Sequence, residues 1–363
     1  MGQEKEQNQM NYYQTASAGA EEYRRKSAPI MLAIESSCDE TAASVVRAGR
    51  EVLSMSVYTQ IPIHRKYGGV VPELASRSHV EKVGSVVADA LDKAGLTIND
   101  VDAVGATYGP GLVGALLVGV SYAKGLAYAA NKTFIGVDHI AGHIAANYLS
   151  YSDLEPPFVC LVASGGHSHI ILVKGYNSFE LLGCTRDDAA GEAFDKVARA
   201  LGLNYPGGPE LEKLAREGNP NAYHFKAAFN EGDNLDFSFS GIKTAVVNLM
   251  HNAAQKGEQI NRADIAASFQ HSVVDTLCHK AVRAAQLNNV TTLALAGGVS
   301  ANTALREALE KAAHRAGLRF CRPDMRFCTD NAAMIACAAH YAMLEQGPSP
   351  LSLNAEPGKE LAE

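Results

Sequence analysis

The sequence predicts an α/β protein built from two similar halves, and three observations support that fold class. Apolar runs typical of strands occur at residues 31–34, 42–46 and 52–59, and further strands then alternate with helices. The same order of elements restarts at residue 158, beyond a polar segment that ends in two prolines. In each half a polar turn joins the first two strands. A repeat of this kind indicates a duplicated fold that holds a nucleotide phosphate between two turns.

The remaining elements follow from apolar periodicity and turn residues. In the first half they are a helix over 72–94, a strand over 101–107, a glycine-rich turn and helix from 109, a strand over 133–137 and a histidine-bearing helix. In the second half they are strands over 158–163, 169–173 and 292–296 and helices over 189–200, over 263–288, after Asn302 and after Asp330. Pro72 supports the start of its helix, since proline is favoured in the first turn.

Composition predicts five segments with different degrees of order. They are a disordered extension (1–28), a first α/β domain (29–150), a second α/β domain (158–325), a C-terminal helix (326–346) and a flexible tail (347–363). The apolar stretch at 111–130 is crowded with glycine and alanine and contains Lys124, which favours a buried helix over a membrane span. We therefore expect no membrane association.

Overall charge and cysteine content exclude some classes of protein. A chain of 363 residues, 47% of them hydrophobic, can bury two cores. A net charge of -7 disfavours a protein that binds nucleic acid unaided, because neutralising phosphates requires surplus lysine and arginine. The 7 cysteines are scattered without a C-x-x-C pair, which fits a reducing compartment and predicts a cytoplasmic location.

His139 and His143 are four residues apart at the start of a predicted helix. That spacing places both imidazoles on one face, where they can bind one metal ion. The alternative is a pair of surface or hydrogen-bonded histidines. Ile140 occupies the position where an H-E-x-x-H peptidase carries its glutamate base, so the pattern predicts a metal site without that base.

A two-histidine site needs a further ligand, and Asp330 is a candidate for it. An oxygen donor would complete a His-His-Asp set that leaves coordination positions open for substrate. The alternative is that Asp330, just before a predicted helix, serves only as the helix N-cap. Sequence alone leaves both interpretations open.

Paired glycines follow an apolar strand at Gly165-Gly166 and again at Gly297-Gly298. Glycine allows backbone N–H groups to approach a phosphate, and the helix predicted after Asn302 adds a favourable dipole. Neither segment matches the Rossmann or P-loop pattern, and each alone could be a tight turn. Asp195 lies in an acidic run that would by default face solvent, but it could accept hydrogen bonds from a ribose.

Ten motifs together resemble the bacterial tRNA N6-adenosine threonylcarbamoyltransferase (TsaD) family, formerly described as sialoglycoprotein endopeptidases. They are ESSCDET (35–41), GGVVPELASR (68–77), GPGLVGAL (109–116), HxxxH (139–143), SGG (164–166), DDAAGEAFDK (187–196), YPGGP (205–209), DFSFSG (236–241), AGGVSAN (296–302) and CTDN (328–331). The match runs in order from about residue 31 to residue 343. It leaves the extension, residues 1–28, without a counterpart.

The resemblance implies a fold of the actin, sugar-kinase and Hsp70 kind, with two α/β domains around a nucleotide and metal cleft. It implies transfer of the threonylcarbamoyl group from L-threonylcarbamoyl-AMP to N6 of A37, the adenosine 3′ of the anticodon, in tRNAs reading ANN codons. The products are t6A and AMP. Implied partners are tRNA, a TsaB-like paralogous subunit and a TsaE-like P-loop ATPase.

The resemblance also implies roles for individual residues. One divalent metal per subunit falls on His139, His143 and Asp330, and the resemblance favours Fe(2+), although the donors also suit Zn. Asp39, with Glu40, matches an acidic pair near the reacting centre, and we expect Asp39 to act in catalysis by orienting or deprotonating the incoming amine. The adenylate-contacting positions fall on Val162, Ala163, Ser164, Gly165, Gly166, Asp195, Gly208 and Asn302.

Two other functions compete with this interpretation. A non-catalytic nucleotide-binding scaffold of the same fold would bind nucleotide without turnover and would not need the three metal-ligand candidates to converge. A metallopeptidase would need a general base, and Ile140 provides none.

Overall fold

The computed structural model describes residues 2–226 and 234–361. Its helices are α1 (Gly2–Arg25), α2 (Ile61–His64), α3 (Pro72–Ala94), α4 (Val113–Ala129), α5 (His139–Ser150), α6 (Ala190–Ala200), α7 (Gly207–Ala215), α8 (Ser240–Lys256), α9 (Arg262–Leu287), α10 (Thr303–Arg315) and α11 (Ala332–Glu345). Its strands are β1 (Ile30–Glu35), β2 (Glu40–Arg47), β3 (Glu51–Thr59), β4 (Ala103–Gly109), β5 (Thr133–Asp138), β6 (Phe158–Ala163), β7 (Ser168–Gly175), β8 (Ser178–Cys184), β9 (Thr292–Ala296) and β10 (Arg319–Cys321). In this part of the chain, no helix combines the length and apolar character needed to span a membrane.

The first compact unit comprises residues 1–62, 70–154 and 330–363. Its sheet has the strand order β3-β2-β1-β4-β5, with β1, β2 and β3 antiparallel and β1, β4 and β5 parallel. Strand β1 is apolar and almost wholly buried because both faces of the sheet are covered. Helices α3 and α4 complete one core with β1, β2 and β4.

The second compact unit comprises residues 63–69 and 155–329 and repeats the same topology. Its sheet has the order β10-β9-β6-β7-β8, with an antiparallel β6-β7-β8 meander and parallel strands β9 and β10. Its core is filled mainly by one face of this sheet and by helices α6, α7, α9 and α10. A strand, a polar turn and a returning strand therefore open both units.

The N-terminal extension differs from the prediction of disorder, since α1 spans nearly all of it. Tyr12, Ala16, Ala20 and Tyr23 share one helical face and are buried. The Tyr23 hydroxyl lies 2.8 Å from His340 Nδ1 on α11, and Thr133 Oγ1 of β5 donates to the Ala16 carbonyl oxygen. The segment is polar on average. Its buried face consists of small and aromatic residues, and overall composition does not show that these residues share one face.

The C-terminal segment also differs from the flexible tail that composition predicts. Ser349 N donates to Phe134 O at 2.9 Å, and Gly136 N donates to Ser349 Oγ at 2.9 Å, so the segment pairs with the edge of β5. Further along, Lys124 Nζ donates to the Leu353 carbonyl oxygen, and Glu356 N donates to the Tyr108 carbonyl oxygen. Residues 362 and 363 lie outside the described residues. Long-range backbone hydrogen bonds order this segment despite its proline and glycine content.

Candidate functional site

The two histidines are positioned by the start of α5. The Asp138 carboxylate caps the helix by accepting from Ile140 N at 2.8 Å and Ala141 N at 3.1 Å. His139 is therefore the first residue of the helix, and His143 lies one turn later on the same side. The two rings meet edge to face, with centroids 4.6 Å apart.

Asp330 joins the histidines because α11 packs closely on α5. A Cβ atom at Gly142 would lie 2.5 Å from Ile335 Cδ1, so the glycine permits this close approach. Asn331 caps α11, since its side chain accepts from Met334 N at 3.0 Å. The alternative in which Asp330 is the N-cap is therefore wrong, and its carboxylate faces the histidines.

The three side chains converge within the first unit. Asp330 Oδ1 lies 3.6 Å from His139 Nε2 and 3.3 Å from His143 Nε2. One ligand atom from each residue falls within 4.8 Å of the other two. Two imidazole nitrogens and one carboxylate oxygen form a donor set that suits Zn²⁺ and Fe²⁺.

His143 supplies a direct test of whether a cation fits here. The side chain is fully buried, and neither ring nitrogen has a partner in hydrogen-bond geometry among the described residues, although Nε2 lies 3.3 Å from Asp330 Oδ1. Burial, followed by the neighbouring His139, holds the pKa of His143 below its usual value, so the ring is neutral and keeps a lone pair. An unsatisfied buried nitrogen is costly, and a divalent cation between the three residues would satisfy it. The residues therefore fit the metal.

Glu35 contacts the first histidine, a position for which no sequence pattern indicated a separate role. Its Oε2 lies 3.1 Å from His139 Nδ1, and the carboxylate also accepts from Thr107 Oγ1 and Ser37 N at 2.5 Å each. Burial would raise the pKa of Glu35, but the facing His139 holds that pKa below its usual value. This contact fixes the His139 ring and directs Nε2 toward Asp330, as carboxylate partners of metal-bound histidines do.

Metal binding at His139 would release a proton. Burial opposes the charged imidazole, but the carboxylates of Glu35 and Asp330 outweigh it and raise the pKa of His139 to about 9. A metal ion must replace the proton on Nε2. We therefore expect metal affinity to rise with pH through the neutral range.

Asp39 and Glu40 bring two further acids near Asp330. Asp39 is buried, and burial together with the charges of Asp39 and Asp330 raises the pKa of Glu40 to about 10. Glu40 is therefore protonated at neutral pH and donates a hydrogen bond to Asp39. The first unit thus combines a metal-ligand set with a carboxyl pair able to hold a proton.

The second unit contains a cavity of about 380 Å³ that four of the predicted substrate-binding residues line, namely Gly165, Asp195, Gly208 and Asn302. Val162 and Ala163 are instead completely buried in β6. Ser164 and Gly166 are not among the lining residues, and Ser164 Oγ accepts from His167 N within the turn. Glu212, Arg216 and Met325 line the cavity as well, and no motif indicated them.

Asp195 and Asn302 shape this cavity through capping bonds. Asp195 Oδ1 accepts from Gly207 N at 2.7 Å and Gly208 N at 3.2 Å at the start of α7. Asn302 caps α10 by accepting from Leu305 N, and it donates to Gln270 Oε1. Gly191 of α6, Gly208 of α7 and Thr303 of α10 all line the cavity. Three helix N-termini therefore reach it, and helix N-termini favour anions.

Sequence comparison gives the same family along most of the chain. A model of TsaD, tRNA N6-adenosine threonylcarbamoyltransferase, matches residues 51–337. Proteins with that name from Clostridium novyi (strain NT) and Clostridium perfringens (strain SM101 / Type A) are 59% and 56% identical to this chain over 334 residues. Each alignment covers 92% of this chain and 98% of the relative.

Structural comparison confirms the predicted fold class of the actin, sugar-kinase and Hsp70 kind. Full-length HypF, in a phosphate- and nucleotide-bound form, has a TM-score of 0.61 at 15% identity over 88% of this chain and 47% of HypF. Component A of (R)-2-hydroxyglutaryl-CoA dehydratase from Acidaminococcus fermentans has a TM-score of 0.52 at 15% identity, over 88% of this chain and 99% of that one. At this identity the likeness concerns the fold alone.

Proposed function

The chain belongs to the tRNA N6-adenosine threonylcarbamoyltransferase family, and we propose that its donor is L-threonylcarbamoyl-AMP and its acceptor A37 in tRNAs reading ANN codons. The family relation confirms the resemblance that the motifs indicate, together with a transferase activity on tRNA. The products of the proposed reaction are t6A and AMP. A non-catalytic scaffold and a metallopeptidase are both disfavoured by this relation.

The observation that carries the proposal is the convergence of His139, His143 and Asp330 at a helix that has Ile140, and not a glutamate, after its first histidine. A divalent cation held by these residues would polarise the threonylcarbamoyl carbonyl as a Lewis acid. Ile140 is buried where a peptidase has its glutamate, so this helix brings no base that could activate water against the same carbonyl. The helix therefore lacks the base that defines an H-E-x-x-H peptidase.

Asp39 is the proposed base for the acceptor. The adenosine N6 forms a bond to the carbamoyl carbon, the bond from that carbon to the phosphate oxygen breaks, and AMP leaves. Asp39 takes the proton that N6 loses. Glu40, which keeps its own proton, donates to Asp39 and orients the accepting carboxylate.

The cavity of the second unit is the proposed site for the adenylate. The N-termini of α6, α7 and α10 reach it and stabilise the phosphate charge that grows as AMP leaves. Gly165 is exposed in the turn after β6, where backbone N–H groups can donate to phosphate oxygens. Asp195 and Asn302 hold the helix starts that form the cavity wall.

Metal identity and partners complete the proposal. Iron(II) is the proposed metal, and metal analysis after anaerobic purification distinguishes it from zinc.

A TsaB-like subunit and a TsaE-like ATPase are the proposed partners, which fits an acidic chain that needs help to hold tRNA. Val80 on α3 and Val113 on α4 are 65% and 54% exposed, so these helices offer apolar surface for a partner. The proposed site of action is the cytoplasm.

The test supplies L-threonylcarbamoyl-AMP and tRNA lacking t6A to the full chain, with and without the candidate partners. Liquid chromatography with mass spectrometry measures t6A and AMP. We expect both products in equal amounts, and the loss of both in His139→Ala. No t6A under any partner combination would contradict the proposed reaction.

A further inference from the structure

His79 is a buried histidine on α3 whose two ring nitrogens contact the turn between β1 and β2 and the start of β2. Nε2 lies 2.9 Å from the Cys38 carbonyl oxygen, and Nδ1 lies 2.7 Å from Thr41 Oγ1. A carbonyl oxygen can only accept, so Nε2 donates to Cys38, and Nδ1 pairs with the Thr41 hydroxyl, which can donate or accept. The ring therefore joins the turn to the start of β2, on both sides of Asp39 and Glu40.

The same turn is held at its other carbonyl groups by backbone donors. Leu112 N, which precedes α4, donates to the Ser37 oxygen at 2.8 Å, and Gln60 N donates to the Asp39 oxygen at 2.9 Å. Successive carbonyl groups at residues 37, 38 and 39 thus accept from three different parts of the first unit. His79 differs from the other two donors because a substitution can remove its hydrogen bond.

We propose that His79 is a positioning residue that fixes the Asp39 and Glu40 carboxyl pair beside Asp330. The proposal rests on the base role proposed for Asp39. Without His79, the partly buried Cys38 carbonyl loses its protein donor, and the turn is released from α3 at this point. The metal ligands on α5 and next to α11 are held mainly by the caps of those helices, and the turn contacts them directly through Ser37 Oγ, 3.3 Å from His139 Nδ1. Loss of His79 should therefore impair transfer while leaving the metal site intact.

The test compares His79→Leu, which removes both hydrogen bonds, with His79→Gln, whose amide can donate to Cys38 and accept from Thr41. Val83→Ala is the matched control, because Val83 is buried on the same helix and packs in the core away from the turn. Each full-length variant is assayed for single-turnover t6A formation, for metal affinity and for amide hydrogen exchange over residues 37–41.

We expect His79→Leu to slow transfer by about 10²-fold, the cost of misplacing a reacting group by about 1 Å. Metal affinity should stay within about twofold of wild type, exchange of the turn amides should accelerate, and His79→Gln should recover part of the rate. Val83→Ala should leave both the rate and turn exchange near wild type. If His79→Leu does not fold, Thr41→Val removes one of the two contacts and serves in its place.

Unchanged turn exchange and transfer in His79→Leu would overturn the proposal. An equal loss of rate in Val83→Ala would overturn it as well, since general destabilisation would then explain the effect. Asp39→Asn, assayed in parallel, separates the two claims. If it transfers at the wild-type rate, the base assignment fails, while hydrogen exchange still decides whether His79 holds the turn.

Discussion

The turn after β1 and the turn after β6 occupy the same place in two units of the same topology, yet their chemistry differs. The first turn buries Ser37 and Asp39, and α3 and the start of α4 hold it from outside. The second turn exposes Gly165 and Gly166 and is closed by its own bond from Ser164 N to the His167 oxygen. Two copies of one fold can thus differ in the turn after their first strand. One copy places a buried acidic residue there, and the other exposes backbone groups.

Removing a metal ligand should have the largest effect on activity. It should impair metal binding by the first unit and leave AMP binding by the second unit unchanged. We expect His143→Ala to lose metal affinity by well over 10²-fold and to abolish t6A formation, because two donors cannot hold the ion in place. AMP affinity, measured by isothermal titration calorimetry, should remain at the wild-type value. Full metal content in this variant would show that the ion binds elsewhere.

The corresponding change in the second unit adds a negative charge to the turn after β6. The space around a Cβ atom at Gly165 is open, so Gly165→Asp should fold normally while placing a negative charge at the cavity. We expect AMP affinity to fall by about 10²-fold through charge repulsion, with metal affinity unchanged. Gly165→Asn is the neutral control of equal size and should lose far less affinity. Equal losses in both variants would mean that shape, and not phosphate charge, governs the cavity.

A smaller effect should follow from Glu35→Gln, which keeps the size of the side chain but removes the charge that faces His139 Nδ1. We expect metal affinity to fall by about 10- to 100-fold, as for other residues that support a metal ligand. Competition with a fluorescent chelator measures the change. Wild-type metal affinity in this variant would show that His139 is oriented without Glu35.

The smallest effect concerns the contact of α1 with α11, and α1 has no counterpart among the described residues of the second unit. Burial, followed by the charge of Arg50, lowers the pKa of His340 from 6.5 to about 4 in the folded chain. The neutral ring therefore stabilises the fold fully above about pH 6.5, and this contribution is lost as pH falls toward 4. Denaturant unfolding at several pH values should show that His340→Asn loses about 2 kcal/mol less stability on acidification than wild type.

Parallel acid sensitivity in wild type and His340→Asn would contradict that assignment. Deletion of residues 2–28 tests the contact between α1 and α11 in a second way. It removes Tyr23, whose hydroxyl lies 2.8 Å from His340 Nδ1. We expect the deletion to lower the melting temperature of the full chain and to leave AMP affinity unchanged.

Local sequence patterns predicted the repeated order of strands and the two histidines, because strand alternation and the four-residue helical spacing are short-range properties. Glu35 could not be found in this way, since its partner His139 is 104 residues away. The order of α1 was missed because only one stripe of the helix, including Tyr12 and Tyr23, is buried. Predicted contacts at Val162 and Ala163 fell inside a strand, since a motif match does not show which backbone atoms face a cavity.

Single-turnover transfer by Asp39→Asn tests most directly whether the acidic turn performs the chemistry while the rest of the protein binds. With L-threonylcarbamoyl-AMP and tRNA lacking t6A, we expect normal AMP and metal affinity and a rate of t6A formation about 10²- to 10⁴-fold below wild type. A wild-type rate in this variant would contradict the assignment of acid-base chemistry to the turn after β1.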